Sequence, residues 1–166
     1  MSDSILIHTT KLKDKEFLHI QHPKDDAAEV LLVPLADRAG LKRAPLHLVR
    51  VAPGKKAFPL HAHHAEEEFA FVLSGTGEVQ LDDIRTPIGP GDFLGFPTDG
   101  TAHALWNTGE EPLVYLTGGE RAAVEVVDFP ELGLRATSTR RDGGQVYFDI
   151  ASGQKRPIAG VGDDDS

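Results

Sequence analysis

Apolar residues in this chain fall into short runs in which bulky side chains alternate with small or polar ones. After Glu68, for example, the bulky Phe69, Phe71 and Leu73 alternate with Ala70 and Val72. A period of two is typical of β-strands, and short runs between turns are typical of a sandwich or barrel. No stretch shows a sustained helical period, although residues 23–29 could form one turn. The predicted strands span about residues 17–22, 29–34, 46–52, 56–63, 68–74, 77–81, 84–88, 92–97, 103–107, 113–118 and 123–129.

Glycine and proline separate these runs where the chain must reverse direction. Pro53-Gly54 and Asp99-Gly100 are such turn sequences. Asp82-Asp83 stands where a hairpin more often carries Asp-Gly, because aspartate adopts a left-handed backbone less readily than glycine. The 17 glycines and 11 prolines are spread along all 166 residues, so they indicate the turns of one all-β domain.

The strands and turns suggest four parts of unequal character. Residues 46–127 are predicted to form a β-barrel of jelly-roll type, whose strands turn one face toward a lumen. Residues 1–45 are expected to add strands at the barrel edge, and residues 128–152 a strand or lid over the outside. Residues 153–166 include Asp163, Asp164 and Asp165 and are expected to form a flexible acidic tail.

Composition excludes several classes of function. A formal net charge of −9 opposes phosphate backbones and anionic membranes, so nucleic acid and membrane partners are not expected. The chain contains no cysteine, which excludes disulfides, thiolate metal ligands and a cysteine nucleophile. No apolar stretch is long enough for a signal peptide or a membrane span, which predicts a cytoplasmic location.

The candidate chemistry centres on His61 and His63. Residues two apart on a strand point the same way, so these two imidazoles would project into one volume. A third imidazole and a carboxylate from other strands, His103 and Glu68, would complete a nitrogen and oxygen shell for a divalent metal. The sequence therefore predicts a metal site.

Three adjacent carboxylates compete for the oxygen position in that shell. Strand alternation places Glu68 with the small Ala70, on a face that leaves room for an ion and its ligand. Glu68 is thus the preferred ligand and Glu67 the second choice. Glu66 is interpreted as a solvated loop charge.

Glycine and proline frame these residues in two motifs. The first is Gly54-(six residues)-His61-x-His63-(four residues)-Glu68-(six residues)-Gly75, and the second is Gly91-(five residues)-Pro97-x-x-Gly100-x-x-His103-(three residues)-Asn107. Together they resemble the two motifs of the cupin superfamily, and the fifteen residues between them resemble the spacing of small single-domain microbial cupins. The second motif usually has one residue between its proline and glycine, whereas this chain has two. A turn can absorb such an insertion without moving the strand that follows.

The resemblance implies both a fold and a site. It implies a double-stranded β-helix, or jelly-roll barrel, with His61, His63, Glu68 and His103 as metal ligands. Without thiolates, the ion could be Fe, Mn, Ni, Zn, Co or Cu. It also implies a homodimer, because amino-terminal strands build dimers in many cupins.

Three classes of function remain open. Many small cupins with this ligand set are dioxygenases, so the resemblance implies a metalloenzyme that acts on a small organic acid or an aromatic compound. A sugar isomerase or epimerase is the first alternative, but the sequence identifies no acid and base pair for it. A non-catalytic module that binds a metal or a small ligand is the second. No catalytic residue is identified beyond the metal shell.

Other polar and aromatic residues receive weaker assignments. His8, His19, His22 and His47 are predicted to be surface or satisfied structural residues and His64 to be exposed, although alternation could place His47 or Arg50 toward a pocket. Asn107 is interpreted mainly as a turn residue, with orientation of His103 or a substrate as the alternative. Trp106 is expected to pack away from His103, and Tyr115 and Thr117 share a face that could line the lumen.

Overall fold

The computed structural model describes residues 5–139 and 145–153 and the backbone of residues 155–156. A single α-helical turn, α1 (Leu35–Arg38), and short 3-10 helices at Thr9–Lys11, Asp14–Glu16 and Pro130–Leu132 accompany the strands. The described residues contain no helix that could span a membrane. The strands are β1 (Leu18–His22), β2 (Asp25–Pro34), β3 (Leu46–Val51), β4 (Ala62–His63), β5 (Glu68–Ser74), β6 (Gly77–Leu81), β7 (Ile84–Ile88), β8 (Phe93–Phe96), β9 (His103–Trp106), β10 (Leu113–Gly119), β11 (Val124–Phe129), β12 (Leu134–Thr139), β13 (Gln145–Asp149) and β14 (Lys155–Arg156).

The strands form three sheets. One sheet has the order β1-β2-β3-β10-β5-β8, and a smaller one has the order β7-β6-β9. The main core lies between these two sheets and contains apolar residues from both, such as Val49, Val72 and Leu105. This arrangement confirms the predicted all-β fold and is consistent with a double-stranded β-helix. A third sheet, β14-β13-β12-β11-β4, has a separate core around Phe129 and Tyr147 and is called the outer sheet below.

Strands β2 and β3 of the six-stranded sheet bury side chains on both faces. On β3, Val49 and Val51 belong to the barrel core, whereas Leu48 packs on the opposite face with Phe17 and Val33. Each such fully buried side chain stabilises the fold by about 1.5–3 kcal/mol relative to an exposed one. The amino-terminal segment therefore covers the outside of the barrel as well as extending its sheet.

Two local predictions are wrong. Residues 56–63 were predicted to form one strand, but regular pairing is confined to β4, while Lys56 and His61 make isolated bridges. Pro59 lies between those two bridges and has no backbone N–H with which to continue a ladder. The helical turn expected within residues 23–29 is also wrong, because β2 begins at Asp25 and the helical turn occurs at α1.

The carboxy-terminal segment continues the outer sheet. β12 pairs antiparallel with both β11 and β13, and β11 also pairs with the short β4. Lys155–Arg156, at the start of the predicted acidic tail, pair with β13 as β14. Asp163, Asp164 and Asp165 lie outside the described residues.

Candidate metal centre

The structure brings His61, His63, Glu68 and His103 into one cluster. One nitrogen or oxygen atom from each side chain lies within 4.8 Å of the corresponding atoms of the other three. His61 and His103 face each other across an antiparallel bridge, with the His103 N–H donating to His61 O at 2.8 Å and the His61 N–H donating to His103 O at 3.1 Å. Residues forty-two positions apart in sequence are thereby fixed side by side.

Glu68 is the first residue of β5, and the pairing of this strand with its two neighbours orients the side chain. It lies opposite Gly119 of β10 and Phe96 of β8, and Ala70 and Val72 share its buried face as the alternation predicts. A Cβ atom at Gly119 would lie 2.2 Å from the Glu67 carbonyl oxygen, so this close pairing requires glycine. Thr117 then donates its hydroxyl proton to the Glu68 carboxylate at 3.0 Å or to the Phe69 carbonyl at 2.9 Å.

The neighbouring carboxylates lie elsewhere. Glu67, the second choice, is exposed and does not belong to the four-residue cluster. The interpretation of Glu66 as a solvated loop charge is wrong: its side chain is half-buried and accepts a hydrogen bond from the Ala122 N–H at 2.6 Å. Burial raises the pKa of Glu66.

Asp82 secures the approach to His103. Its carboxylate accepts a hydrogen bond from the Ala102 N–H at 2.9 Å, and its own N–H donates to the Ala102 carbonyl at 2.8 Å. Gly100 takes the left-handed conformation, with φ of +92°, and the Asp99 carboxylate accepts from the Thr101 N–H at 2.9 Å. The turn thus absorbs its extra residue, and His103 reaches the cluster.

The protonation of His61 is fixed by a backbone carbonyl. The Nδ1–H of His61 donates to Pro59 O at 2.8 Å, so the lone pair is left on Nε2. Burial, reinforced by the positive charge of a protonated His103, lowers the pKa of His61 to about 3. His61 is therefore a neutral imidazole near pH 7, which is the form that binds metals.

Glu68 lies between two other imidazoles. Its Oε2 is 3.2 Å from His103 Nε2 and 3.4 Å from His63 Nε2. Burial would raise the pKa of Glu68, but hydrogen bonds from His103 and His63 outweigh it and hold the pKa well below its usual range. Burial would likewise lower the pKa of His63, but Glu68, with Glu125 and Glu66, raises it.

The four side chains suit a divalent ion. Two ligands on opposite sides of one ion, each bound at about 2.1 Å, lie about 4.2 Å apart, so the cluster needs only a small contraction to close on an ion. Three imidazoles and one carboxylate are the donors that Fe, Mn, Ni, Co, Zn and Cu accept in proteins. The described residues also include a second, smaller group, His63, Glu66 and Glu125.

A cavity of about 530 Å³ opens onto His61, His63 and Glu68. Its walls come from three directions: the β1–β2 hairpin, the irregular segment before β4, and the outer sheet. His47 faces this cavity, whereas Arg50 points the other way and contacts Phe17 and Asp14. The other residues that line the cavity are Ile20, Gln21, His22, Pro23, Ala28, Ala57, Phe58, Pro59, Val127, Phe129, Gln145 and Tyr147.

The remaining polar and aromatic residues either line the lumen of the barrel or support its structure. Tyr115 and Thr117 face the lumen. Trp106 points away from His103, as predicted, donates to Gln80 Oε1 at 3.0 Å and stacks under Arg85. Asn107 is buried and bonds to Val51 O, Glu111 O and the Gly109 N–H, as expected of a turn residue, and makes no bond to His103.

Sequence reasoning missed four residues around the site. His22 was interpreted as a surface or structural residue, but its ring packs on Phe129 at the cavity wall, and Tyr147 packs on Phe129 as well. Glu125 is buried on β11 close to His63. A signal for Glu125 was present, because alternation places it on the same strand face as the apolar Val127 and Phe129.

Comparisons with known proteins agree with this architecture. Residues 47–118 match the family described as the cupin domain. Protein SchB of Streptomyces halstedii is 36% identical over 80 residues, which are 48% of this chain and 55% of SchB. The match thus spans about half the length of that curated relative.

Solved structures extend the likeness to nearly the whole chain. A candidate sugar phosphate isomerase from Acidithiobacillus ferrooxidans is 34% identical, with a TM-score of 0.80 over 89% of this chain and 94% of its own. A cupin described as a sugar phosphate isomerase from Silicibacter pomeroyi shares the fold at 23% identity, with a TM-score of 0.76 over 92% and 99% of the two chains. The two motifs, the barrel and the match to the cupin domain, with a 34% identical relative over nearly the whole chain, show that this chain belongs to the cupin superfamily.

Proposed function

We propose that this protein is a metal-dependent enzyme of the dioxygenase type that acts on a small organic acid or an aromatic compound. His61, His63, Glu68 and His103 would hold the ion. Three neutral imidazoles and one carboxylate leave a divalent ion with a net charge near +1. That charge favours a substrate with an anionic oxygen, such as a carboxylate, an enolate or a catecholate.

The observation that carries this proposal is the character of the cavity beside the four ligands. Its walls are mainly apolar and aromatic, with Phe58, Phe129 and Tyr147 among them. No lysine or arginine lines it among the residues described; Arg140 and Arg141, just before Gln145, fall outside that part of the chain. An apolar wall fits an aromatic or short aliphatic body better than a polyhydroxylated phosphate, whose oxygens need hydrogen-bond partners.

The residues of the chain have distinct tasks in this scheme. A divalent ion would supply Lewis acidity and, in the case of iron, electron transfer to bound substrates. Thr117 holds the Glu68 carboxylate, and Pro59 O holds the tautomer of His61. The aromatic walls exclude water from the substrate. Burial lowers the pKa of His47, so its neutral ring can exchange a hydrogen bond with a substrate at the cavity mouth.

The test begins with elemental analysis of protein purified without chelators. Anaerobic loading with Fe(II) is then followed by measurement of dioxygen consumption with catechols, keto acids and diketones. We expect consumption with one of these classes, and its loss in His61→Ala. His19→Ala is the matched control, because that histidine is exposed and pairs with Glu29 on β2. Tight metal binding without turnover on any substrate would instead indicate a binding module.

A sugar phosphate isomerase is the second candidate. It is favoured by the 34% identity to the Acidithiobacillus ferrooxidans protein, of which this chain covers 94%. Isomerisation needs no dioxygen, so it would proceed anaerobically and incorporate solvent deuterium beside the carbonyl of the sugar. Interconversion of aldose and ketose phosphates without dioxygen uptake would replace the dioxygenase proposal.

We further propose a cytoplasmic homodimer. β1 is the last strand at one end of its sheet, and it exposes 52% of Leu18 and 38% of Ile20. An exposed edge strand with apolar side chains favours pairing with a second copy. Sedimentation equilibrium should give twice the chain mass, and a monomer at micromolar concentration would contradict the proposal.

A further inference from the structure

Glu125 is a buried acid next to the ligand cluster. It exposes only 5% of its surface and lies on β11, two residues before Val127, which pairs with His63. Its Oε1 accepts backbone hydrogen bonds from His64 at 3.0 Å, Ala65 at 3.2 Å and Val126 at 2.8 Å. Three donors on one oxygen fix the carboxylate and stabilise its negative charge.

The second carboxylate oxygen of Glu125 and one ring nitrogen of the neighbouring His63 both lack a hydrogen-bond partner among the described residues. These two atoms, Glu125 Oε2 and His63 Nδ1, are both buried. The closest approach of the two groups, from His63 Nδ1 to Glu125 Oε1, is 4.0 Å. That distance is about 1 Å longer than a hydrogen bond, so a bond between the two groups requires an adjustment of their side-chain torsions. The protonated Nδ1 of His63 can donate a hydrogen bond and the Glu125 carboxylate can only accept one, so a bond between them would give both groups a partner.

We propose that Glu125 is a positioning residue that accepts a hydrogen bond from the Nδ1–H of His63 and directs His63 Nε2 toward the metal. This inference rests on the proposed metal centre. Carboxylates that hold ligand imidazoles in this way fix the tautomer and raise the basicity of the ligating nitrogen. Pro59 O does the same for His61 through a neutral carbonyl. Glu125 differs because it contributes a full negative charge.

A competing interpretation is a second cation held by His63, Glu66 and Glu125. The carboxylate oxygens that would bind this cation already accept hydrogen bonds. Glu125 Oε1 accepts three from backbone N–H groups, and Glu66 Oε1 accepts one from the Ala122 N–H. His63 Nε2 also faces Glu68. The geometry therefore favours a hydrogen bond over a second ion, and the two interpretations predict different stoichiometries.

The test compares Glu125→Gln with Glu66→Gln by Co(II) titration of the metal-free protein. Glutamine keeps an oxygen for the three backbone donors, so the fold is retained. We expect one Co(II) per chain in all proteins, an affinity about 10–100-fold weaker in Glu125→Gln, and a Glu66→Gln affinity within about threefold of the parent. Glu125→Asp, which keeps the charge, should recover part of the loss.

A second measurement does not depend on affinity. In Zn(II)-loaded protein labelled with ¹⁵N-histidine, we expect His63 Nδ1 to be protonated and its resonance to shift in Glu125→Gln, while that of His61 stays unchanged. An unaltered affinity with an unaltered His63 resonance overturns the positioning role alone. Two Co(II) per chain, with one lost in both glutamine variants, overturns it in favour of the second cation site. Absence of Co(II) binding by the parent overturns the metal centre itself.

Discussion

The two halves of the candidate metal centre are held by different parts of the molecule. His61 and His103 exchange backbone hydrogen bonds, and Glu68 begins a seven-residue strand that is paired on both sides within the barrel. His63 belongs to the two-residue β4, whose ladder partner is β11 of the outer sheet. The barrel alone therefore aims three of the candidate ligands, and the fourth depends on a sheet built largely from residues after the matched family region.

Removal of an imidazole from the barrel half should have the largest effect. We expect His103→Ala to weaken Co(II) binding by more than about 100-fold. Loss of a metal ligand should weaken binding more than loss of a residue that only hydrogen-bonds to a ligand, which costs about 10–100-fold. Isothermal titration against the metal-free protein measures this, with His19→Ala as the control. Equal losses in His103→Ala and His63→Ala would show that both halves are needed. Unchanged metal content in both variants would refute the assignment.

The core of the outer sheet provides the next test. Phe129 exposes 7% of its surface and packs against Tyr147, His22 and His61. Phe129→Ala should lower the free energy of unfolding by about 3–5 kcal/mol through lost burial and a cavity. Urea denaturation measures this change. Val124→Ala, an exposed site on the same strand, should shift it by less than about 0.5 kcal/mol.

The outcome of that experiment bears directly on the comparison. A single unfolding transition with weakened metal binding would mean that the outer sheet and the barrel form one cooperative unit. If Phe129→Ala cost less than about 1 kcal/mol, the outer sheet would contribute little to the placement of His63.

Acidification should affect the two halves unequally. Burial lowers the pKa of His61 to about 3, so this imidazole stays neutral over the pH range of the experiment. The pKa of His63 is raised by Glu68 and its neighbouring acids despite burial. His63 therefore takes up the competing proton before His61 does, and Zn(II) affinity should fall about tenfold per pH unit below the raised pKa of His63, which lies above 6.5. Dissociation constants between pH 8 and 5 test this, and flat affinity would contradict it.

In the metal-free protein, His63 and Glu68 also make the free energy of unfolding depend on pH. A raised pKa means that the contribution of His63 to folding is complete below pH 6.5 and is lost as pH rises through the folded-state pKa. The pKa of Glu68 is lowered, so its contribution is present above pH 4.5 and lost as pH falls. Their joint contribution is therefore fullest between about pH 4.5 and 6.5. The lowered pKa of His61 acts against it as pH falls below 6.5, because the unfolded chain takes up a proton that the folded chain does not. Urea denaturation of the metal-free protein across this range measures the balance.

The smallest effect is expected on the exposed side of the outer sheet. Arg135 holds Asp128 through bonds of 2.6 and 2.7 Å and lowers the pKa of that carboxyl. Because Arg135 is 44% exposed, Arg135→Gln should cost only about 0–1 kcal/mol in urea denaturation at pH 7. The difference should shrink as pH falls below 3.8, when Asp128 becomes protonated in the unfolded chain. A cost above about 2 kcal/mol would indicate a structural role for this pair.

The barrel was predictable because its strands alternate cleanly. β5, β6 and β7 begin and end at the predicted residues, and the parity of β5 selects Glu68 among three adjacent acids. The glycines that frame the two motifs predicted that His103 would lie close to the other candidate ligands, although these residues are far apart in sequence.

The rest depended on tertiary contacts that local patterns do not encode. The run at 56–63 has strand-like residues, but Pro59 and the path across the cavity mouth leave only β4 in regular pairing. Glu66 follows a loop sequence, yet the backbone of Ala122 draws it inward. The carboxy-terminal segment was expected as a strand or lid over the outside. It supplies Tyr147 to the cavity wall, a placement set by β13 pairing with β12 and by β12 pairing with β11.

The left-handed turn at Asp82 has a consequence for engineering. With φ of 49°, this position is one where glycine is the usual stabilising replacement, because it adopts that backbone without strain. Glycine would also remove the carboxylate that binds the Ala102 N–H, one residue before His103. Relief of backbone strain and loss of that hydrogen bond act oppositely on stability, so a screen for heat resistance alone does not report the placement of His103. Thermal screens should therefore hold Asp82 fixed.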